Sequence, residues 1–138
     1  MRIGAGVFRI WLLAGFSLVC IRGGAQHMNA KDGPCQVPST TVDGTNCFSK
    51  ALKDSDEQLN QMYQRALTVV GGDELTRLKT AQRLWIQYRD ANCEAEREMY
   101  SGGSAASMVR LACLEAMTRH RTEELRTMYG WRLEKFGK

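Results

Sequence analysis

Apolar residues recur at intervals of three and four along the first half of the chain. This spacing places them on one face of an amphipathic α-helix. We therefore predict a first helix from about Asn46 to Val70. The pair Gly71-Gly72 would end it, because glycine adopts the left-handed cap conformation without strain. The predicted inner face of this helix carries Leu52, Asp56, Leu59, Tyr63, Ala66 and Val70.

Two further stripes of the same period predict a second and a third helix. The second is expected to begin at Asp73, a residue type that caps helix N-termini, and to end near Tyr100. The third is expected to take Ser104 as its cap and to run to about Tyr129, with Gly130 as its terminator, and residues 131–138 would form a frayed or docked tail. Short glycine-containing turns favour an up-down-up arrangement of antiparallel helices. The sequence therefore predicts an all-α domain of three antiparallel helices.

The first 25 residues have the pattern of a secretory signal peptide. Arg2 and Arg9 provide a positive start, an apolar run follows at residues 10–21, and small residues occupy 23–25. A membrane span needs about 20 apolar residues, so this run is short for one. An uncleaved anchor is the alternative interpretation.

The expected organisation is a cleaved signal peptide over residues 1–25, an irregular segment over 26–45 and a helical domain over 46–138. Such a protein would be periplasmic or secreted, with no stable membrane span after cleavage. A lipid anchor on Cys20 is the alternative, because a lipidated cysteine follows a short apolar run. Val19 is bulky for the position before such a cysteine, so we rank the lipid anchor second.

The net charge of the chain changes once the signal peptide is set aside. The formal net charge is +4, and Arg2, Arg9 and Arg22 contribute three of these positive charges. The remaining chain is nearly neutral. A nucleic-acid-binding protein needs a basic face that neutralises phosphates, so we expect no nucleic-acid partner.

Four cysteines remain after the signal peptide, and an even number in an exported chain predicts disulfides. If the second and third helices are antiparallel about the turn at residues 102–103, Cys93 faces Cys113. A disulfide between them then needs no distortion. This favours the pairs Cys93–Cys113 and Cys35–Cys47 over the two other connectivities.

Candidate residues for metal binding or catalysis are few. The chain has no Cys-x-x-Cys or His-x-x-x-His pair, so zinc is the less favoured interpretation of the cysteines. His27 and His120 stand alone, and each is expected to be solvated or capping. With no His-supported nucleophile, we expect neither an enzyme nor a cofactor.

The same helix register brings polar residues of three stripes together. Asp56 falls opposite Arg89 or Tyr88, and Trp85 falls opposite Arg121. A buried guanidinium needs a partner, so we predict an Asp56–Arg89 ion pair. Arg121 would stack on Trp85 or bond to Asp56, Asn60 or Gln82. We interpret this network as fixing helix register; the alternative is that part of it lies in a groove and binds a partner. Its predicted members are Asp56, Asn60, Gln82, Trp85, Arg89 and Arg121.

Several motifs are spread across the three predicted helices. They are Asp56-x-x-Leu59-Asn60-x-x-Tyr63, Gln82-x-x-Trp85-x-x-Tyr88-Arg89-x-x-x-Cys93, Tyr100-x-Gly-Gly-Ser104, Cys113, Thr118-x-x-Arg121 and Leu125. Together they resemble the LprI-type lysozyme inhibitor domain, a family of small secreted bacterial helical domains. The resemblance spans roughly Cys35 to Met128. It implies a bacterial envelope protein, and the named member of the family is a lipoprotein that inhibits lysozyme.

The first functional hypothesis is therefore an inhibitor that occludes the lysozyme cleft. Lysozyme works with two carboxyl groups in a cleft, which a cationic or hydrogen-bonding loop could fill. The candidate partner-binding residues are Arg97, Tyr100, Ser101, Gly102, Gly103 and Ser104. These residues could equally form a plain turn between helices.

The second hypothesis is a non-catalytic module that binds another envelope protein, through the aromatic tail at residues 131–136. The oligomeric state is left open.

Overall fold

The computed structural model describes residues 27–36 and 38–137. The described part of the chain contains helices and no strand, which confirms the all-α prediction. A short 3₁₀ turn at His27–Asn29 precedes three long helices. The helices are α1 (Thr41–Leu67), α2 (Gly72–Glu98) and α3 (Ala106–Phe136). The predicted signal peptide and Cys20 lie outside the described residues.

The helices α2 and α3 are antiparallel, as the predicted topology requires. Cys93 is bonded to Cys113 near one end of the pair, and Glu74 contacts Arg132 at 2.7 Å near the other. Residue numbers therefore fall along α2 as they rise along α3. α3 packs against both α1 and α2 and is the central helix of the bundle.

α1 begins at Thr41 and not at Asn46, so the prediction of an irregular segment up to residue 45 is wrong. Thr40 is the N-cap, and its hydroxyl oxygen accepts a hydrogen bond from the backbone N–H of Asp43 at 3.1 Å. This bond satisfies one of the donors that a helix N-terminus leaves free. The extra turn also brings Gly44 against Met108 of α3, and a side chain at Gly44 would clash with that methionine.

The predicted boundaries of the first interhelical turn also need correction. α1 ends at Leu67, and Val70 belongs to the turn. Gly71 in extended conformation is the N-cap of α2, and Gly72 has φ +53°, so the predicted cap Asp73 lies within the first helical turn. A positive φ is accessible to glycine without the steric cost that other residues meet.

α3 begins after Ala105 and runs through Gly130 to Phe136, so Ser104 is not its cap and the tail is helical. The reason is burial. Tyr129 and Leu133 continue the stripe of Leu125 at intervals of four and pack on α1. Burying a large apolar side chain contributes about 1.5–3 kcal/mol, more than the roughly 1 kcal/mol cost of one glycine inside a helix.

The largest core cluster joins all three helices. Its buried members are Leu59, Met62, Ala66, Leu78, Leu125, Tyr129 and Leu133. A second cluster packs Phe48 of α1 and Met108 of α3 against Cys35 from the N-terminal segment. No helix in the described ranges has the length and apolar character that crossing a membrane requires.

The two disulfides have the predicted connectivity. Cys35–Cys47 joins the segment before α1 to α1 itself, with Cα atoms 6.0 Å apart. Cys93–Cys113 joins α2 to α3, with Cα atoms 5.4 Å apart. The prediction from helix register is therefore confirmed.

Candidate functional site

Arg89 of α2 connects all three helices. Its guanidinium donates to a carboxylate oxygen of Asp56 on α1 at 3.3 Å and to the hydroxyl of Thr118 on α3 at 3.1 Å. A second carboxylate, that of Asp90, lies 2.9 Å from the same guanidinium. The Asp56–Arg89 pair was predicted from register, whereas Thr118 was not placed in the network.

Trp85 lies between two guanidinium groups. The guanidinium carbons of Arg89 and Arg121 lie 5.2 Å and 5.8 Å from the centre of its ring, within the range of a cation–π interaction. Arg121 also donates to the amide oxygen of Gln82 at 3.1 Å. Two of the predicted alternatives for Arg121 thus occur together. Asn60 is exposed on α1, and Arg121 bonds to Gln82 instead of to it.

We call this set the interhelical cluster and define it as Asp56, Gln82, Trp85, Arg89, Thr118 and Arg121. The side chains of Arg89 and Arg121 are only 16% and 12% exposed, but that of Asp56 is 47% exposed. The two guanidinium groups of the cluster are therefore mostly buried, whereas the carboxylate of Asp56 is partly exposed to solvent. Its hydrogen bonds run from helix to helix, which supports the register interpretation over a binding groove.

The turn between α2 and α3 has a different character. Residues 101–104 are exposed, Tyr100 is half-buried, and Gly102 has φ +80°, a conformation that favours glycine. Within the described chain the backbone N–H groups of Tyr100, Ser101 and Gly103 donate to the carbonyl oxygens of Arg97, Glu98 and Tyr100. The turn therefore offers the N–H groups of Gly102 and Ser104 and the two serine hydroxyls to solvent. We call residues 100–104 the α2–α3 turn.

Arg97 is not a free cation beside this turn. Its guanidinium contacts Glu94 at 2.7 Å and also Glu98, and Glu94 receives a second bond from Arg110 at 3.2 Å. The hydrogen bond from Arg97 lowers the pKa of the Glu94 carboxyl, and the Arg110 guanidinium adds to this effect. The cationic component expected of a cleft-filling loop is therefore largely neutralised by neighbours.

A second polar grouping lies where the N-terminal segment crosses α3. We call this segment the strap and define it as residues 27–36 and 38–40. His27 Nδ1 lies 2.7 Å from a carboxylate oxygen of Glu96, which corrects the expectation that His27 is solvated or capping. Glu96 itself is buried. His120, in contrast, is exposed as expected.

The strap makes a second ionic contact, this one with α3. Arg119 contacts Asp32 of the strap at 3.1 Å and Glu115 of its own helix at 3.1 Å. Glu115 is only 2% exposed and also accepts a hydrogen bond from Ser55 of α1 at 3.1 Å. The hydrogen bond from Arg119 lowers the pKa of Asp32. One sequence signal could have indicated Glu115, because it is the single charge within the apolar run of residues 111–117.

Comparison with known proteins identifies the family. The model of the family described as "Lysozyme inhibitor LprI" matches residues 34–125. The chain belongs to the LprI family. An uncharacterized protein of Rhizobium meliloti (strain 1021) is 30% identical over 107 residues, which cover 68% of this chain and 77% of that protein. No solved structure matches the chain significantly.

The residues matched by the LprI family model contain most of what the structure brings together. They include both disulfides, the whole interhelical cluster and the α2–α3 turn. His27 and Asp32 precede the match, so the two ionic contacts of the strap involve residues outside the family pattern. The predicted resemblance is confirmed.

Proposed function

We propose that this LprI-family protein is an exported bacterial inhibitor of lysozyme and that its α2–α3 turn occludes the lysozyme cleft. Membership of an inhibitor family is the observation that carries the proposal. The two disulfides are consistent with an oxidising compartment, such as the periplasm or the extracellular medium. An inhibitor of this kind acts by binding, and it needs no catalytic group of its own.

The α2–α3 turn is the surface that we propose to enter the cleft. It joins two long helices, and residues 101–104 are free of burial by the rest of the described chain. The backbone N–H groups of Gly102 and Ser104 and the two serine hydroxyls are donors suited to the two carboxyl groups of a lysozyme cleft. Because Arg97 is paired, we assign the recognition to these neutral donors and not to a cationic plug.

The interhelical cluster takes the supporting role in this proposal. Its cations are mostly covered and its bonds connect the three helices. It would hold α2 and α3 in register and thereby fix the position of the turn that they carry. Substitutions in the cluster should then change stability before they change inhibition.

The test is lysozyme turnover on cell-wall substrate, titrated with oxidised protein comprising residues 26–138. We expect stoichiometric inhibition by the parent protein. The double substitution Ser101→Glu and Ser104→Glu places two negative charges near the cleft carboxyl groups. It should weaken inhibition about ten-fold or more, equivalent to about 1.4 kcal/mol of binding free energy.

The matched control is Gln58→Glu with Gln64→Glu, which adds the same charge on the exposed face of α1. This control should inhibit like the parent. If the turn variant inhibits as well as the parent, the inhibitory surface lies elsewhere on the molecule. Folded parent protein that inhibits no lysozyme class would refute the inhibitor function.

A second candidate function is a non-catalytic module that binds another envelope protein. Exposed apolar side chains near the end of α3 favour it: Met128, Trp131 and Phe136 are 54%, 57% and 57% exposed. Exposed apolar side chains that lie close together often mark a protein-binding surface. This candidate predicts that the parent protein does not inhibit lysozyme, and that Trp131→Ala abolishes the capture of an envelope protein by the immobilised chain.

A further inference from the structure

A buried corner of the molecule holds a carboxylate that is only half satisfied. Here the strap meets α2 and α3, and His27 Nδ1 lies 2.7 Å from Oε2 of Glu96. Glu96 is 9% exposed, and its other oxygen, Oε1, is buried without a hydrogen-bond partner in the part of the chain that the structure describes. An unpaired buried oxygen of a charged group is costly, so its retention needs an explanation.

The Cys93–Cys113 disulfide adjoins this carboxylate. The ligand atoms of His27 and Glu96 and the sulfur of Cys113 all lie within 4.8 Å of one another. Cys93 is bonded to that sulfur, and both cysteines are fully buried. An imidazole, a carboxylate and two sulfurs therefore converge from the strap, α2 and α3.

These four groups match the ligand types of a tetrahedral zinc site. Zn²⁺ binds thiolate sulfur at about 2.3 Å, imidazole nitrogen at about 2.0–2.1 Å and carboxylate oxygen at about 2.0–2.2 Å. In tetrahedral geometry these lengths place the ligand atoms roughly 3–4 Å apart. The ligand atoms of His27, Glu96 and Cys113, which lie within 4.8 Å of one another, need only small side-chain adjustments, and the sulfur of Cys93 becomes free to turn toward them once the disulfide is reduced. Sequence motifs miss this set because His27 and Cys113 are distant along the chain from Cys93 and Glu96.

We propose that His27, Glu96, Cys93 and Cys113 form a zinc site when the Cys93–Cys113 disulfide is reduced. A thiol or phosphine reductant supplies two electrons, and two protons complete the two thiols. Zn²⁺ then displaces these two thiol protons and keeps its own oxidation state. Disulfide and metal exclude each other, because a sulfur in a disulfide is not a thiolate.

The surroundings of Cys113 suit a thiolate. The side-chain amide nitrogen of Asn92 lies 3.7 Å from its sulfur, so the amide can donate to a metal-bound thiolate. The metal would pin α2, α3 and the strap at the place where the disulfide joins α2 to α3 in the oxidised protein. The reduced chain would thus keep the same helix register before oxidation.

The second disulfide provides an internal control. Cys47 is exposed on α1, and neither Cys35 nor Cys47 belongs to the group of His27, Glu96 and Cys113 or is bonded to a cysteine of that group. Replacing both by serine should leave zinc affinity unchanged. The variants Glu96→Gln and His27→Ala each remove one proposed ligand and keep all four cysteines.

The experiment is a zinc titration of the reduced protein against a chromophoric chelator, repeated with Co²⁺ as a spectroscopic probe. We expect one metal ion per chain and a Co²⁺ spectrum with thiolate charge-transfer bands and tetrahedral d–d intensity. Glu96→Gln and His27→Ala should each weaken binding about ten-fold or more, and the oxidised protein should not bind at the same affinity. Equal affinity in the parent and both ligand variants, or in the reduced and oxidised proteins, would overturn the proposal.

Circular dichroism covers the case in which reduction unfolds the chain. Metal binding would then restore helicity, because a site absent from the unfolded chain couples binding to folding. Restoration should occur in the parent and in the Cys35→Ser/Cys47→Ser variant, and require more zinc in Glu96→Gln. A reduced chain that zinc neither binds nor refolds would refute the site.

Discussion

The interhelical cluster and the strap contacts solve the same electrostatic problem in opposite ways. In the cluster the cations are covered and the carboxylate of Asp56 is half exposed. At the strap contacts the carboxylates that belong to α2 and α3 are covered, whereas that of Asp32 on the strap is exposed. The side chains of Glu96 and Glu115 are only 10% and 3% exposed, and their partners His27 and Arg119 are 37% and 32% exposed. An exposed carboxylate can be hydrated after its partner is lost, whereas a buried one cannot. The free energy of unfolding should therefore depend more on His27 and Arg119, the partners of the buried carboxylates, than on Asp56.

The disulfides provide the largest test of this difference. Cys93–Cys113 joins α2 to α3 beside Glu96, whereas Cys35–Cys47 joins the strap to α1; their sequence separations are 20 and 12. Loop-closure entropy alone predicts a loss of about 3 kcal/mol for either pair replaced by alanine, slightly more for the longer loop. Urea unfolding followed by helicity measures both losses. A clearly larger loss for the Cys35–Cys47 pair would show that the strap stabilises the bundle beyond closing its loop.

Arg119→Ala should have the next largest effect. It leaves the buried Glu115 with Ser55 as its hydrogen-bond partner. Breaking a buried ion pair costs about 3–5 kcal/mol, and partial exposure of Arg119 reduces our expectation to about 2 kcal/mol in the free energy of unfolding. The matched control is Arg126→Ala, which removes the exposed pair with Glu123 and should cost less than about 0.5 kcal/mol.

A double-mutant cycle sharpens this prediction. In the Arg119→Ala background, Glu115→Gln removes the stranded charge and retains an oxygen for Ser55. The double variant should therefore be more stable than Arg119→Ala alone. If it is less stable, the burial of the carboxylate is not the source of the loss.

Asp56→Ala should cost about 1 kcal/mol or less, although it breaks the ion pair predicted from sequence. Asp56 is half exposed, and Arg89 keeps bonds to Asp90 and Thr118 and its contact with Trp85. Chemical denaturation of this variant beside Arg119→Ala measures the comparison directly. A loss equal to that of Arg119→Ala would mean that the exposure of the carboxylate does not decide its contribution.

The two regions also differ in how far the sequence predicts them. Helical periodicity and the position of one turn suffice to place Arg89 near Asp56 and Cys93 opposite Cys113, because register in a helical hairpin is a matter of counting. The same counting places the start of α1 and the end of α3 wrongly. Those boundaries depend on the cap at Thr40 and on the burial of Leu133, which are local bonds and packing that periodicity does not encode.

The strap contacts could not be predicted by any period. The strap has no regular repeat, and its partners on α2 and α3 are far away in sequence. The sequence indicates only the buried carboxylate, because Glu115 is a charged residue within an apolar run. The partner that neutralises such a charge depends on where an irregular segment crosses the bundle.

Asp32→Asn tests the exposed end of the strap and should have the smallest effect. The hydrogen bond from Arg119 lowers the pKa of Asp32 in the folded protein below its ordinary value of 3.8. A lowered pKa stabilises the fold above the unfolded-state pKa, and this stabilisation disappears as the pH falls through the folded-state value. The parent should therefore melt slightly above the Asp32→Asn variant at about pH 7, and the two should converge at about pH 2. Salt should reduce the difference because Asp32 is exposed.

Repeating the Asp32→Asn substitution in the Arg119→Ala variant distinguishes the Asp32–Arg119 ion pair from other roles of Asp32. There the substitution Asp32→Asn should change the melting temperature less than in the parent, since the guanidinium that is the first cause of the lowered pKa is gone. A difference that persists at low pH, or that is undiminished in the Arg119→Ala background, would assign Asp32 a role in the backbone of the strap. The strap would then be held by its local conformation and by Cys35–Cys47, and the buried carboxylate of Glu96 would gain its partner His27 as a consequence of that conformation and not as its cause.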